Sequence, residues 1–180
     1  MHRSHWYGLA ALAALVVTGC ASGPTVRVDK DPAADLSTYK TFGFFEQVAT
    51  DRAQYSTIVT SHLKQATAAE LRKLGYVYDE ASPQLRVNFF VKVANKQEIR
   101  STPAGGIGPY RYRFGFNNIE SREYKAGTLG IELVDMGRQA LVWQGIAEGR
   151  LDSETARNSG AAINAAVAEI FRNFPNAPVG

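Results

Sequence analysis

The chain has 180 residues, 45% hydrophobic and 21% charged, ordinary proportions for one globular domain that exclude wholesale disorder. Its 20 Lys and Arg face 17 Asp and Glu for a net charge of +3, a balance that excludes a dedicated nucleic-acid binder. One cysteine in the whole sequence excludes an internal disulfide.

The chain opens on a short cationic start, Met1 to His5 with Arg3, and an apolar run from Trp6 to Val17. At about 12 residues the run is well short of the roughly 20 that a membrane-spanning helix needs, so the layout is that of a cleaved secretory signal peptide. Thr18 and Gly19 are small enough to enter a peptidase cleft in extended form, and Cys20 follows with a thiol able to accept a diacylglycerol. The stretch from Leu15 to Ser22 resembles the lipobox of bacterial lipoproteins. It implies cleavage of residues 1–19, lipidation of Cys20, a tether over 20–24 and one domain over 25–176. The mature chain would carry 19 basic and 17 acidic residues, about +2. In proteobacterial lipoproteins the residue after the cysteine directs sorting. Ala21 is not the aspartate that often retains them at the inner membrane, so the expected location is the outer membrane, facing the periplasm.

Thr25 to Asp29 alternates like a half-buried strand, with Val26 and Val28 expected inward. The stretch from Lys30 to Asp35 is turn-rich, and Tyr39 to Phe45 offers aromatic and β-branched residues for a second strand, with Phe42 and Phe44 on its core face. From Gln54 to Leu74 there is no Pro or Gly, and Ile58, Leu63, Ala66, Leu71 and Leu74 fall at helical spacing. Gly75 supplies the stop, and Arg72 and Lys73 suit the negative end of the helix dipole. Leu85 to Val93 alternates cleanly, placing Leu85, Val87, Phe89, Val91 and Val93 on one face. The Gly- and aromatic-rich segment from Ser101 to Glu123 is too long for an ordinary connection. Gly127 to Asp135 and Gln139 to Ala147 flank Met136-Gly137-Arg138 as a hairpin, in which Leu129, Ile131 and Leu133 pack with Leu141, Trp143 or their neighbours. Ala161 to Phe174 reads as a closing helix with Ile163, Val167, Ile170, Phe171 and Phe174 on one stripe, ended by Pro175.

The order β-β-α-β-β-β-α, with one apolar stripe per helix and alternating strands, predicts an α+β two-layer sandwich. Its mixed, mostly antiparallel sheet is expected to have five strands, with both helices on one face. The second strand, long helix and third strand form a candidate crossover unit.

Asp35-Leu36-Ser37-Thr38-Tyr39-Lys40-Thr41-Phe42 resembles a bacterial lipoprotein family known as domain of unknown function 4136. The likeness continues through Gly75-Tyr76, Leu85-Arg86-Val87, Gly127 to Asp135, Leu141-Val142-Trp143-Gln144-Gly145 and Phe174-Pro175. Phe44 and Pro83-Gln84 depart from its pattern, where tryptophan and Ala-Asp are frequent. The resemblance covers nearly the whole mature chain and implies fold and compartment, with no activity to transfer.

The residues themselves offer little chemistry. His62 is the only histidine after the leader, Ser61 beside it in a helix faces another way, and no Gly-x-Ser-x-Gly elbow exists. Asp29, Asp31, Asp35 and Glu46 read as solvated turn residues rather than paired catalytic carboxylates. Gly105-Gly106-Ile107-Gly108 lacks the Lys-Ser/Thr of a phosphate loop. With the thiol lipidated and His2 and His5 removed, no metal or other cofactor is expected, and no enzyme.

A non-catalytic binding or assembly module of the envelope is therefore the expected function. The alternative is a carrier of a small molecule or lipid in a cavity between sheet and helices. A filled sheet-helix layer favours the first and an open apolar pocket of roughly 300 Å³ or more the second. The candidate binding residues are Tyr110, Arg111, Tyr112 and Arg113, within Tyr110-Arg111-Tyr112-Arg113-Phe114-Gly115-Phe116. If that stretch is extended, its rings share one face and its guanidinium groups the other. Tyr and Arg concentrate in binding hot spots, and arginine pairs bidentately with carboxylate or phosphate. The membrane, through the lipid, is one expected partner. An acidic protein face, peptidoglycan or lipopolysaccharide is the other.

Overall fold

The computed structural model describes residues 23–51, 56–103 and 117–175. The elements are β1 (Thr25–Lys30), β2 (Thr41–Phe44), α1 (Ile58–Lys73), β3 (Val77–Tyr78), β4 (Leu85–Pro103), β5 (Asn117–Asp135), β6 (Ala140–Leu151), the short α2 (Ser153–Arg157) and α3 (Ser159–Arg172). One sheet runs in the order β1-β6-β5-β4-β2-β3. The β1–β6, β6–β5 and β5–β4 pairs are antiparallel, and β2 is parallel to both β4 and β3. The fold is the expected α+β arrangement, with α1 and α3 in contact over the sheet. The sheet has six strands rather than five. The extra one, Val77–Tyr78, is two residues pairing at the sheet edge, too short to give an alternation in sequence.

Local chemistry sets the ends of α1. The Thr57 hydroxyl accepts the Thr60 amide at 3.1 Å. At the other end Gly75 takes φ 87, its amide bonds to the Arg72 carbonyl and that of Tyr76 to Leu71. That pair of bonds is a Schellman stop, and its left-handed residue is the glycine the sequence provides. Leu63 and Leu71 are fully buried as expected, but Ile58 is 78% exposed. It lies five residues from Leu63, about 140° around the helix. Thr60 is buried in its stead, its hydroxyl satisfied by those of Thr50 and Thr57.

The core lies between sheet and helices. Leu85, Val87, Phe89, Ile131 and Leu133 come up from the sheet to meet Leu63, Leu71, Val167 and Ile170. Trp143, Phe171 and Phe174 form a ring cluster with centroids 5.0–5.7 Å apart. Gly145 makes room for it, since a Cβ there would lie 2.2 Å from Ile170 and 2.7 Å from Trp143. A bulge between Leu133 and Val134 places both Val142 and Trp143 inward and turns Leu141 out to 46% exposure, which resolves the strand's parity. Val28 is exposed rather than inward, because β1 is an edge strand covered from one side only.

The β5–β6 turn is built on Asp135, whose carboxylate accepts the Gly137 and Arg138 amides and the Tyr39 hydroxyl, the last at 2.7 Å. The residue with positive φ in this turn is Gln139 rather than Gly137.

Candidate functional site

β4 and β5 are 19 residues each, and the sheet supports them only in part. β6 ends with Leu151 opposite Lys125, and β2 pairs with β4 only from Leu85 to Val87. Beyond the pair Asn95–Lys125, out to Pro103 opposite Asn117, the two strands have only each other among the described residues. This part is a two-stranded ribbon about 27 Å long at 3.4 Å per residue. The sequence marks the start of β4 by its alternation, but beyond Val93 the alternation fades and the expected strand stopped there. The residues from Ala94 to Thr102 contain no Gly or Pro. That absence of a turn signal is what shows the strand continuing.

The two faces of the ribbon differ. One carries Lys96, Glu98, Arg100, Glu120, Arg122 and Tyr124, which pair across the strands and back to the body. Lys96 pairs with Glu148, Glu98 with Arg150 at 2.7 Å and with Arg100 at 3.0 Å, and Arg122 with Glu120 at 2.8 Å. The Arg150 guanidinium stacks 4.0 Å over the Tyr124 ring. Hydrogen bonds from Arg150 and Arg100 hold the Glu98 carboxyl below its ordinary range, and the bond to Glu148 holds the Lys96 ammonium above its own. The opposite face continues the core side of β4. There Val91, Val93, Ile99 and Ile119 stand 46–73% exposed, with Asn95, Gln97, Glu123 and Lys125 between them. Phe89, two residues before Val91, is 0% exposed.

Of the residues singled out from sequence, Cys20, Tyr110, Arg111, Tyr112 and Arg113 lie outside the described residues. Because Pro103 and Asn117 form the last pair of the ribbon, residues 104–116 connect the strands at its far end. The acidic residues near β1 act locally. Asp31 accepts the Ala33 amide and pairs with Arg138 at 2.8 Å, and Asp35 accepts the Ser37 amide and hydroxyl at the 3-10 turn Leu36–Thr38. The Ala33 and Arg138 contacts lower the pKa of Asp31, and the Ser37 contacts that of Asp35. His62 sits against Gly160 at the start of α3. Among the described residues no group of three or more His, Cys, Asp or Glu side chains could hold a metal ion.

Phe89, Trp143 and Phe171 occupy the layer between sheet and helices, each at most 4% exposed. Two open surface depressions, of about 510 Å³ beside Asn88 and Val134 and about 310 Å³ between Asp29–Pro32 and Leu141–Gln144, have no helix residue in their lining. Sequence reasoning missed a polar ladder between them. Asn88 and Gln144 each donate to the Glu132 carboxylate, at 2.9 and 3.1 Å, across β4, β5 and β6 on the open face of the sheet. No described helix is long and apolar enough to cross a membrane.

No curated protein matches the sequence. Among solved structures, a PDZ domain protein from Parabacteroides distasonis ATCC 8503 is similar at 18% identity and a TM-score of 0.56, over 88% of this chain and 37% of that one. The chain thus spans little more than a third of that protein, and the likeness is one of fold. A PelC dodecamer from Paraburkholderia phytofirmans is similar at 16% identity and a TM-score of 0.46, over 82% of this chain and 94% of that one. The family described as domain of unknown function (DUF4136) matches residues 26–176, nearly all of the folded part, and the chain belongs to that family.

Proposed function

We propose that the chain is a non-catalytic lipoprotein of the cell envelope, anchored by acylated Cys20 on the periplasmic face of the outer membrane. It works through the β4–β5 ribbon as a contact arm. The observation that carries this reading is the ribbon, which projects about 27 Å with both faces exposed. Its far end carries a connection with the sequence Tyr110-Arg111-Tyr112-Arg113. A filled sheet-helix layer supports a surface that binds over a cavity that carries. The arm's Tyr and Arg residues suit an acidic protein face or the anionic groups of peptidoglycan or lipopolysaccharide.

Crosslinking in intact cells tests the arm. A variant with Tyr110→Ser, Arg111→Ser, Tyr112→Ser and Arg113→Ser is expected to lose the envelope contacts of the parent while remaining folded and anchored. Retention of every contact by that variant overturns the reading. The anchor is tested by itself, since Cys20→Ala should abolish acyl labelling and leave the protein soluble or unprocessed. A Cys20→Ala protein processed and membrane-bound as before means that Cys20 is not the anchor.

A further inference from the structure

We infer that the ribbon lies along the membrane surface, with Val91, Val93, Ile99 and Ile119 pressed into the head-group region of an anionic phospholipid leaflet. The inference rests on the anchor at Cys20 proposed above, and the short distance from that anchor to the fold is what drives it. Thr25, the first residue of β1, pairs with Glu148, which pairs with Thr128, which pairs with Lys92. The chain therefore enters the sheet level with the base of the ribbon. β1 and β5 are both antiparallel to β6, so they run the same way. The residues before Thr25 consequently leave the sheet at the end from which the ribbon projects.

Two lengths then decide the geometry. Thr25 is the fifth residue after Cys20, so the lipid attachment lies within about 18 Å of the sheet whatever path the chain takes. From the level of Thr25 the paired strands run on from Lys92–Thr128 to Pro103–Asn117, roughly 35 Å. The ribbon outreaches the tether by about twofold. If the domain stood upright on its anchor, the ribbon end would be driven into hydrocarbon. A two-stranded ribbon cannot stay there, because its outer N–H and C=O groups have no strand partner among the described residues and hydrocarbon offers no water to replace one. Tilting the domain so that the ribbon lies along the interface satisfies both lengths.

The two faces determine which side is down. The face carrying Lys96, Glu98, Arg100, Glu120 and Arg122 is charged throughout and internally paired, and it is costly to press against lipid. The opposite face exposes four aliphatic side chains for which the described residues provide no cover. The two strands beyond Phe90 carry Lys92, Lys96, Arg100, Arg122 and Lys125 against Glu98, Glu120 and Glu123, an excess of two positive charges over the ribbon as a whole, of which Lys125 and Glu123 share the aliphatic face. Long Lys and Arg side chains at an interface reach back to the head groups, and an anionic surface attracts them within about one Debye length. The charged face is left turned outward to meet a partner.

Site-directed labelling tests this on the anchored full-length protein. With Cys20 acylated the sequence contains no other thiol, so a single introduced cysteine takes an environment-sensitive fluorophore cleanly. Four variants, Ile99→Cys, Ile119→Cys, Arg100→Cys and Arg122→Cys, are each reconstituted in vesicles of phosphatidylglycerol and phosphatidylethanolamine that contain a head-group nitroxide lipid. The Ile99 and Ile119 labels are expected to be quenched at least threefold more than the Arg100 and Arg122 labels. The difference should shrink when phosphatidylglycerol is replaced by phosphatidylcholine. Equal quenching on both faces, or none on either in anchored protein, overturns the inference. Low quenching at Ile99 and Ile119 with efficient disulfide crosslinking between copies would assign the face to a second copy of the chain instead. Failure of the anchor itself appears separately, as a wild-type protein that does not co-sediment with vesicles.

Discussion

The first and second halves of β4 form one continuous strand with one continuous register, and they live in different environments. Leu85, Val87 and Phe89 are 0% exposed, whereas Val91, Val93 and Ile99 on the same face are 46%, 60% and 69% exposed. The reason is the length of the layer above them. The 16 residues of α1 span about 24 Å and the 14 of α3 about 21 Å, against roughly 63 Å for a 19-residue strand. The helices cover little more than a third of β4, and the remainder emerges with its core face bare. Alternation in a strand therefore reports which residues share a face, and the helix lengths report how many of them are buried.

Two truncations on that face sharpen the comparison most. Phe89→Ala removes a fully buried ring that also meets Phe44 at 5.8 Å, and should destabilise the domain by about 3–5 kcal/mol. Ile99→Ala, ten residues further along the same strand, should change stability by less than about 0.5 kcal/mol. Urea unfolding of the two variants checks it. Equal losses would mean that the ribbon is packed against something in the free protein.

What was legible in sequence follows the same division. The body could be read because its signals are local and redundant. Gly75 ends α1, Leu63 and Leu71 mark its inner stripe, and Ile131 and Leu133 alternate against a helix layer that covers them. The bulge opposite Leu133 could not be read, since one extra residue changes the parity of Leu141 without leaving a mark in composition. The ribbon was missed because its residues alternate between short aliphatic and polar side chains on one face and between charges of both signs on the other. That pattern is also what an exposed loop looks like. The Asn88–Glu132–Gln144 ladder joins residues far apart in sequence, and a pairing register is needed before those residues can be seen as neighbours.

An intermediate effect is expected at the junction of the 3-10 turn with the β5–β6 turn, where the body is tied by a single carboxylate. Burial alone would raise the pKa of Asp135. The hydrogen bonds from Tyr39, then from the Arg138 and Gly137 amides, outweigh it and leave the pKa below the ordinary value. A carboxyl whose folded-state pKa is depressed contributes stability that is fully present above its unfolded pKa, about 3.9, and is lost as pH falls through the folded value. Tyr39→Phe should cost about 1.5 kcal/mol at pH 7, the value of one hydrogen bond to a charged group, and should also flatten the loss of stability below about pH 4. Thermal melts from pH 2 to pH 7 check both. An unchanged acid limb would mean that the Tyr39 bond contributes nothing to the charge state of Asp135. The ribbon is not part of this linkage, so Ile99→Ala should leave the acid limb as it is.

The smallest effect is expected where ribbon and body meet. Lys96 on β4 pairs with Glu148 on β6, and Arg150 on β6 pairs with Glu98 on β4, so two ion pairs reach from the supported sheet to the free part of the ribbon. Between them Arg150 stacks on Tyr124. These contacts are the only described salt bridges that run between the ribbon and β6, and they look like bolts that fix its angle. Their side chains are 31–50% exposed, however, and at such positions water and salt screen most of the attraction. A double-mutant cycle on Lys96→Ala and Glu148→Ala should therefore return a coupling of about 0.2–1 kcal/mol, falling toward zero as salt is raised to about 1 M, where the Debye length is near 3 Å. The same cycle followed by amide exchange separates two roles for the pair. If the pair only adds stability, exchange in the ribbon and in the body should rise together. If it sets the ribbon's angle, exchange should rise at Gln97 and Glu123 and stay unchanged at Val87 and Ile131, because the core does not depend on where the ribbon points. The second result is expected, since global stability rests on Phe89 and Trp143 rather than on charges at the surface.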